Sequence, residues 1–203
     1  RNPEIMALGI NQNFSIPDNI DVLLCGPGLN DDKWSSHVFN ETLKVKDIKN
    51  FIFDAGALHL MNENKFEKNK NIILTPHPGE AASLLGVSNN EIQEDRINAA
   101  RSISEKFSAF VILKGKNTIV CPNNQEDIFE CTEGGPELSS GGTGDVLAGV
   151  ISALIAQKID IIDACMLSVA VHARAGEIFK DKTGEIGLNA SSLIPIIREL
   201  INK

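Results

Sequence analysis

The run Ser139-Ser-Gly-Gly-Thr-Gly-Asp145 leads straight into Val-Leu-Ala-Gly-Val-Ile-Ser-Ala-Leu-Ile, a glycine turn opening an apolar helix. Gly141, Gly142 and Gly144, with Thr143 among them, permit a tight turn whose backbone N–H groups converge. The helix behind adds the positive end of its dipole, so an anion such as a transferring phosphoryl group would be stabilised there without Lys or Arg. Asp145 falls in the first helical turn, where it can accept a proton from a substrate hydroxyl. An ordinary turn with a helix-start carboxylate would use the same residue types. The closeness of three glycines and an Asp ahead of an apolar helix favours the anion site.

Four further clusters carry chemistry. Thr75-Pro-His-Pro-Gly-Glu80 follows an apolar run, and its prolines hold His77 at the end of a strand. Glu80 stands three residues on and could reach a magnesium-bound water, because Mg²⁺ usually keeps several waters. Asp54, followed by Ala-Gly-Ala, and Gly26-Pro27-Gly28 end two other apolar runs. Open α/β sheets bind ligands at such strand ends. Lys114-Gly115-Lys116-Asn117-Thr118 separates two strand-like runs, and Lys114 can supply a point charge to a phosphate. A structural turn remains the alternative for each of these clusters.

These residues need a scaffold that brings strand ends together. The runs Asp21–Cys25, Phe51–Asp54 and Ile72–Thr75 read as buried strands, each ending in Gly, Pro or Asp. Phe110–Leu113, Thr118–Cys121 and Ile128–Cys131 read as three strands joined by short turns, an antiparallel meander. Helices are expected over Trp34–Leu43, Ala57–Asn62, Gly79–Leu85 and Glu91–Phe107, the last with an apolar stripe through Ile92, Ile97, Ala100, Ile103 and Phe107. After Thr143 the chain is mostly helical. Asp160 and Asp163 start a long helix ending near Gly184, and Asn189–Ile201 makes the last one, with Pro195 tolerable only in its first turn. Strands alternating with helices, followed by a helical end, indicate one α/β layered domain, residues 1–203, around a mainly parallel sheet.

The formal net charge is −8 and no Lys/Arg block is present, which argues against a general nucleic-acid binder and for a small-molecule site. The uncharged apolar run Val146–Gln157 is too short to span a bilayer, so no membrane role is expected. Cys25, Cys121, Cys131 and Cys165 form no C-x-x-C pair and read as reduced core thiols, in keeping with a reducing, cytoplasmic compartment. The first residues do not read as a signal peptide, and the chain lacks an initiator Met.

The ordered set GPGL (Gly26–Leu29), DAGAL (Asp54–Leu58), LTPHPGEAASLLG (Leu74–Gly86), LKGKNT (Leu113–Thr118) and GGTGDVLAG (Gly141–Gly149) resembles the NAD(P)H-hydrate dehydratase family over nearly the whole chain. That resemblance implies a three-layer α/β/α ribokinase-like fold and a repair reaction. ATP or ADP, with Mg²⁺, phosphorylates the added hydroxyl of hydrated NADH or NADPH, and phosphate elimination regenerates the reduced dinucleotide. It further implies that Asp145 is the base, Gly144 a nucleotide contact and Lys114–Thr118 the adenine-nucleotide segment. Gly28 and His77 would lie around the hydrated dinucleotide. His77 and Glu80 occupy the spacing of an Asn-x-x-Glu magnesium motif of related kinases, with His replacing Asn. A homo-oligomer, specifically a tetramer, is implied as well.

Asn30 stands where many family members have a third Gly, and Gly56 where an Asp is usual. Members normally begin with a first strand and a Gly/Ala-rich segment, which this chain is expected to lack. Two other readings share the motifs: a ribokinase-like vitamin-pathway kinase that stops at a phosphorylated alcohol, and a nucleotide-binding protein that has lost turnover.

Overall fold

Strands of four residues or fewer can anchor a domain when every side chain finds a helix to pack on, and the strand sequences here are apolar enough to be covered on both faces. The computed structural model describes residues 5–11, 14–17, 19–61, 66, 69–123 and 127–202. Within them β1 (Val22–Cys25), β2 (Asn50–Phe53), β3 (Asn71–Leu74), β4 (Phe110–Leu113), β5 (Thr118–Cys121) and β6 (Phe129–Cys131) form one sheet in sequential order. β1 to β4 are parallel, whereas β5 and β6 add antiparallel, as the meander expectation holds.

Sequential parallel strands joined by right-handed crossovers put all their connecting helices on one face. These are α1 (Lys33–Leu43), α2 (Gly56–Leu60), α3 (Pro78–Leu85), α4 (Asn89–Glu94) and α5 (Arg96–Phe107). Phe39, Leu58, Ile92 and Ile103 from that layer share a core with Phe51 and Phe53 of β2. Ile52, between those two phenylalanines, points the other way, into a second core with Leu147, Ile151 and Val169. This opposite layer consists of α6 (Thr143–Ala156) and α7 (Ile161–Thr183), and α8 (Leu193–Ile201) packs on α7 through Leu193 and Ile197. The architecture is the expected three-layer α/β/α domain.

One expected helix is divided. The apolar stripe through Glu91–Phe107 predicts a continuous element, but Asp95 leaves the helical region at φ −143°, ψ 79° and its carboxylate accepts the N–H of Asn98 at 2.9 Å. An Asp that caps a new helix outcompetes one more helical residue. α4 has its own capping box, Ser88 with Glu91. The last helix also starts differently, as a 3-10 turn Ala190–Ser192 that becomes α8, so Pro195 does lie in the first α-helical turn. Asn62, at the end of the expected helix after Asp54, lies outside the described residues.

Among the described residues no helix is long and apolar enough to cross a membrane. All four cysteines are free thiols; Cys25, Cys121 and Cys165 are buried and Cys131 partly so. Burial raises each thiol above its ordinary value, Cys165 to about 12, which makes them poor nucleophiles.

Candidate active site

The register aligns Cys25 with Phe53 and Phe53 with Leu74, so the residues that follow, Gly26, Asp54 and Thr75, lie side by side at the carboxyl edge of the sheet. Space between these strand ends is minimal. A Cβ on Gly26 would sit 1.7 Å from the Asp54 carbonyl oxygen, and one on Gly56 would sit 2.1 Å from that of Leu29. The family's usual Asp therefore has no room at Gly56 with this backbone. Ala55 between them adopts φ 47°, ψ −125°, a sparsely populated conformation that neighbouring contacts must hold in place. Gly28 is exposed beside open space.

Across this edge Lys114 leaves β4 and joins two carboxylates. Its Nζ lies 2.6 Å from Asp54 Oδ1 and 3.8 Å from Glu80 Oε2, and the two acids are only 1% and 5% exposed at their side chains. One cation between two buried carboxylates leaves a residual negative charge. The positive end of α6 rests on the pair: a Cβ on Gly144 would lie 3.2 Å from Lys114 Nζ and 4.0 Å from Asp54 Oδ2.

His77 and Glu80 build the start of α3. His77 Nδ1 accepts the N–H groups of Gly79 (3.0 Å) and Glu80 (3.2 Å), while Glu80 Oε2 accepts the His77 N–H at 2.7 Å. Because Nδ1 accepts, the proton of the neutral ring sits on Nε2, which lies 3.4 Å from Glu80 Oε1. His77 itself is more than half exposed.

α6 starts without such a device. Its cap, Gly142, takes φ 87° and offers no side chain, so the N–H groups of the first turn have no side-chain acceptor. Thr143 fixes the turn from below, its hydroxyl oxygen lying 2.7 Å from Leu138 O and 2.9 Å from Ser140 O, so that it can donate to either. The carbonyl of Thr143 accepts from His172 Nε2 of α7 at 2.9 Å. Burial lowers the His172 pKa, the Thr143 carbonyl opposes that and the Lys114 charge adds to it, so the ring is neutral at pH 7. Asp145 projects from the exposed side of the same turn.

Beside this turn opens a cavity of about 520 Å³, with Lys114, Gly115, Lys116, Thr118, Thr143 and Gly144 in its wall. Asn117 is turned elsewhere, donating to Glu130 Oε1 at 2.6 Å across the β5–β6 hairpin. Gly141, Gly142 and Asp145 are outside the cavity wall, as are Gly26, Gly28, Asp54, His77 and Glu80 at the strand ends. The expected site thus divides into a nucleotide-sized cavity and a crevice at the sheet edge, which meet at Lys114 and Gly144.

The rest of the cavity wall was not anticipated. Residues 133–139 supply Gly134 and Gly135, and α7 supplies Val169, His172 and Ala173. Glu137 is 2% exposed and holds the Gly135 N–H at 2.8 Å. The Gly134-Gly135-Pro136 run signals a loop, but nothing in the sequence around His172 distinguishes it from any helical residue.

No group of three or more His, Cys, Asp or Glu side chains among the described residues could hold a metal ion. Asp54 and Glu80 do suit a Mg²⁺ that arrives on phosphate, which needs only one or two carboxylates and keeps its waters.

A family model described as NAD(P)H-hydrate dehydratase matches residues 2–199. The chain is 38% identical over 203 residues to a bifunctional NAD(P)H-hydrate repair enzyme of Vibrio cholerae, covering 98% of this chain and 40% of that protein. It is 34% identical over 207 residues to an ADP-dependent (S)-NAD(P)H-hydrate dehydratase of Neisseria meningitidis, covering 99% of this chain and 69% of the relative. The structure of an ADP/ATP-dependent NAD(P)H-hydrate dehydratase from Bacillus subtilis, co-crystallised with ATP and Mg²⁺, superposes with a TM-score of 0.84 at 28% identity, covering 94% of this chain and 67% of that one. The chain therefore spans about two-fifths of the Vibrio relative and about two-thirds of the other two. A match that runs through every strand end and both helix starts of the crevice makes this chain a member of the NAD(P)H-hydrate dehydratase family.

Proposed function

We propose that the chain carries out the nucleotide-dependent dehydration of hydrated NADH or NADPH, with ATP or ADP as co-substrate and Mg²⁺ carried on its phosphates. The observation that carries this reading is the uncapped start of α6, set between the cavity and the buried Lys114–Asp54 pair. The Gly144 and Asp145 N–H groups at this start would stabilise negative charge on a phosphoryl group in transit, that of Thr143 being held by Ser140 O. The adenine nucleotide would occupy the cavity lined by Lys114, Gly115, Lys116 and Thr118, with Gly144 beside its terminal phosphate. Hydrated nicotinamide would lie in the crevice near Gly28, His77 and Asp145.

Asp145 then takes the proton of the ring hydroxyl as its oxygen attacks phosphorus, and the bond from phosphorus to the nucleotide's leaving oxygen breaks. ATP becomes ADP, or ADP becomes AMP. Hydroxide is a poor leaving group, whereas phosphate departs readily once the ring nitrogen pushes electrons toward that carbon. Loss of a proton from the neighbouring carbon restores the double bond. The same N–H groups stabilise the departing phosphate, so one site serves both steps. Mg²⁺, when bound, spreads phosphate charge, and Asp54 and Glu80 are the carboxylates to hold its waters. The working form in this reading is a cytoplasmic homo-oligomer, a tetramer, which sedimentation would test.

The test is to incubate full-length protein with hydrated NADH or NADPH, Mg²⁺ and ATP or ADP. Reduced-nicotinamide absorbance should recover, with one phosphate released per dinucleotide. Flat absorbance with both hydrates would overturn the proposal, and a lasting phosphate ester on a small alcohol would favour a kinase.

A further inference from the structure

The turn between β4 and β5 that would receive the nucleotide is gripped by a residue from another element. Arg96 is the first residue of α5, aimed by the break at Asp95. Its Nη2 donates to the carbonyl of Leu113 at 3.0 Å and of Lys114 at 3.2 Å, and lies 3.5 Å from that of Asn117. Nη1 donates to Gln93 Oε1 at 3.2 Å. Nε is buried without a hydrogen-bond partner among the described residues. Leaving a donor buried and unpaired is costly, so carbonyl geometry and not full satisfaction of the guanidinium dictates its position.

A trans peptide points its C=O and the following N–H in opposite directions. Turning the Leu113 carbonyl onto Arg96 sends the Lys114 N–H the other way, and it indeed donates to Pro76 O at 2.8 Å. By the same geometry the Lys114 carbonyl, held on Arg96, turns the Gly115 N–H away from α5, and Gly115 lines the cavity. Turn and guanidinium touch with no space between them: a Cβ on Gly115 would lie 3.2 Å from Nη1 and 3.3 Å from Nη2.

We infer that Arg96 is a positioning residue for the nucleotide, holding the turn so that the Gly115 N–H and the Lys114 ammonium serve as a donor pair for its anionic part. The inference rests on the nucleotide reading of the cavity. Arg96 touches neither substrate, so its removal should act on nucleotide affinity and leave the dinucleotide side unchanged.

The experiment compares full-length native protein with Arg96→Met, Arg96→Lys and Gly115→Ala, by binding of a fluorescent ADP analogue, by both KM values and kcat, and by thermal melting. Arg96→Met keeps the apolar stem and removes the fork. Its nucleotide Kd and KM should rise about 10-fold, as expected for one mispositioned charge-assisted donor pair. The dinucleotide KM and kcat should stay within about two-fold, the signature of lost binding and not of lost chemistry. Arg96→Lys should recover part of the affinity, because an ammonium reaches the same carbonyls without the fork. Gly115→Ala pushes on the guanidinium from the other side and also strains the turn itself, which stands at φ 133°, so it should weaken nucleotide binding at least as much; Arg96→Lys, with affinity below native, decides the matter if Arg96→Met does not fold. Native nucleotide affinity in a folded Arg96→Met, or in Gly115→Ala, would overturn the inference, as would a parallel loss of both KM values and kcat. Native protein that binds no adenine nucleotide would instead overturn the reading of the cavity and the inference with it.

Discussion

α3 and α6 begin at the same edge of one sheet and treat their first turns in opposite ways. At α3 the chain closes its own helix end: His77 accepts from Gly79 and Glu80, Glu80 accepts from His77, and Pro78 has no N–H to satisfy. At α6 the cap is a left-handed glycine and the first-turn donors meet no side-chain acceptor. A helix start that satisfies itself has little left for an anion, while an open one keeps both its donors and its dipole. The difference assigns His77 and Glu80 a structural duty, whatever else they touch, and leaves α6 as the place for charge to develop. Lys114 couples the two, being 3.8 Å from Glu80 and directly under Gly144.

Removing that link should have the largest effect. Lys114→Met leaves Asp54 buried without its cation and should cost about 3 kcal/mol of stability in urea unfolding, typical of a broken buried pair. Lys114→Met with Asp54→Asn should regain most of that stability but not the nucleotide KM. Full recovery of KM would show that Lys114 serves folding alone.

Asp145→Asn keeps volume and polarity but cannot take a proton. Turnover should fall about 10²-fold or more while nucleotide binding, measured directly, is retained. Near-normal turnover would remove Asp145 from the base role and leave the open helix start without a proton acceptor.

His77 tests the closed start. His77→Ala should lose about 1 kcal/mol, the usual worth of an N-cap, and His77→Asn should restore it because Asn is itself a strong cap. A dinucleotide KM that stays raised in the stable Asn variant assigns the imidazole to substrate as well. A KM that returns with stability confines it to capping.

The smallest effect concerns pH at the open start. Burial holds the His172 pKa below its ordinary value, so the unfolded chain binds its proton more readily than the folded one. The associated stability is full above about pH 6.5 and is lost as pH falls through the lower folded value. Between pH 7.5 and 5.5 the native protein should therefore lose more stability than His172→Gln. Equal losses would mean that His172 does not sense the packing against Thr143.

Much of the site is written in short segments. Gly26, Asp54, Thr75 and Lys114 each follow an apolar run, and a parallel sheet can only bring such run ends together at one edge. The division at Asp95 is hidden because the apolar stripe continues across the break through Ile92, Ala100, Ile103 and Phe107, all on the same core, whereas Ile97, expected in that stripe, is exposed. Periodicity measures which face is buried, and it stays blind to a cap that interrupts the helix without turning that face. Arg96 and His172 carry no sequence signal for a related reason: each acts through backbone carbonyls far away in the chain, and a carbonyl has no residue type to recognise.

By itself, then, the sequence determined the layered fold, its mainly parallel sheet with an antiparallel meander, the glycine turn before Asp145 and the family. These depend on local signals: apolar runs, turn residues, and a motif whose function lies in its own backbone. Only the tertiary structure decided that Lys114 is shared between Asp54 and Glu80, that Asn117 turns out of the cavity, and that α3 is closed where α6 is open. Those outcomes depend on distances between segments separated in sequence. Whether a buried charge finds its partner, or a helix end its acceptor, is settled when the strands and helices pack.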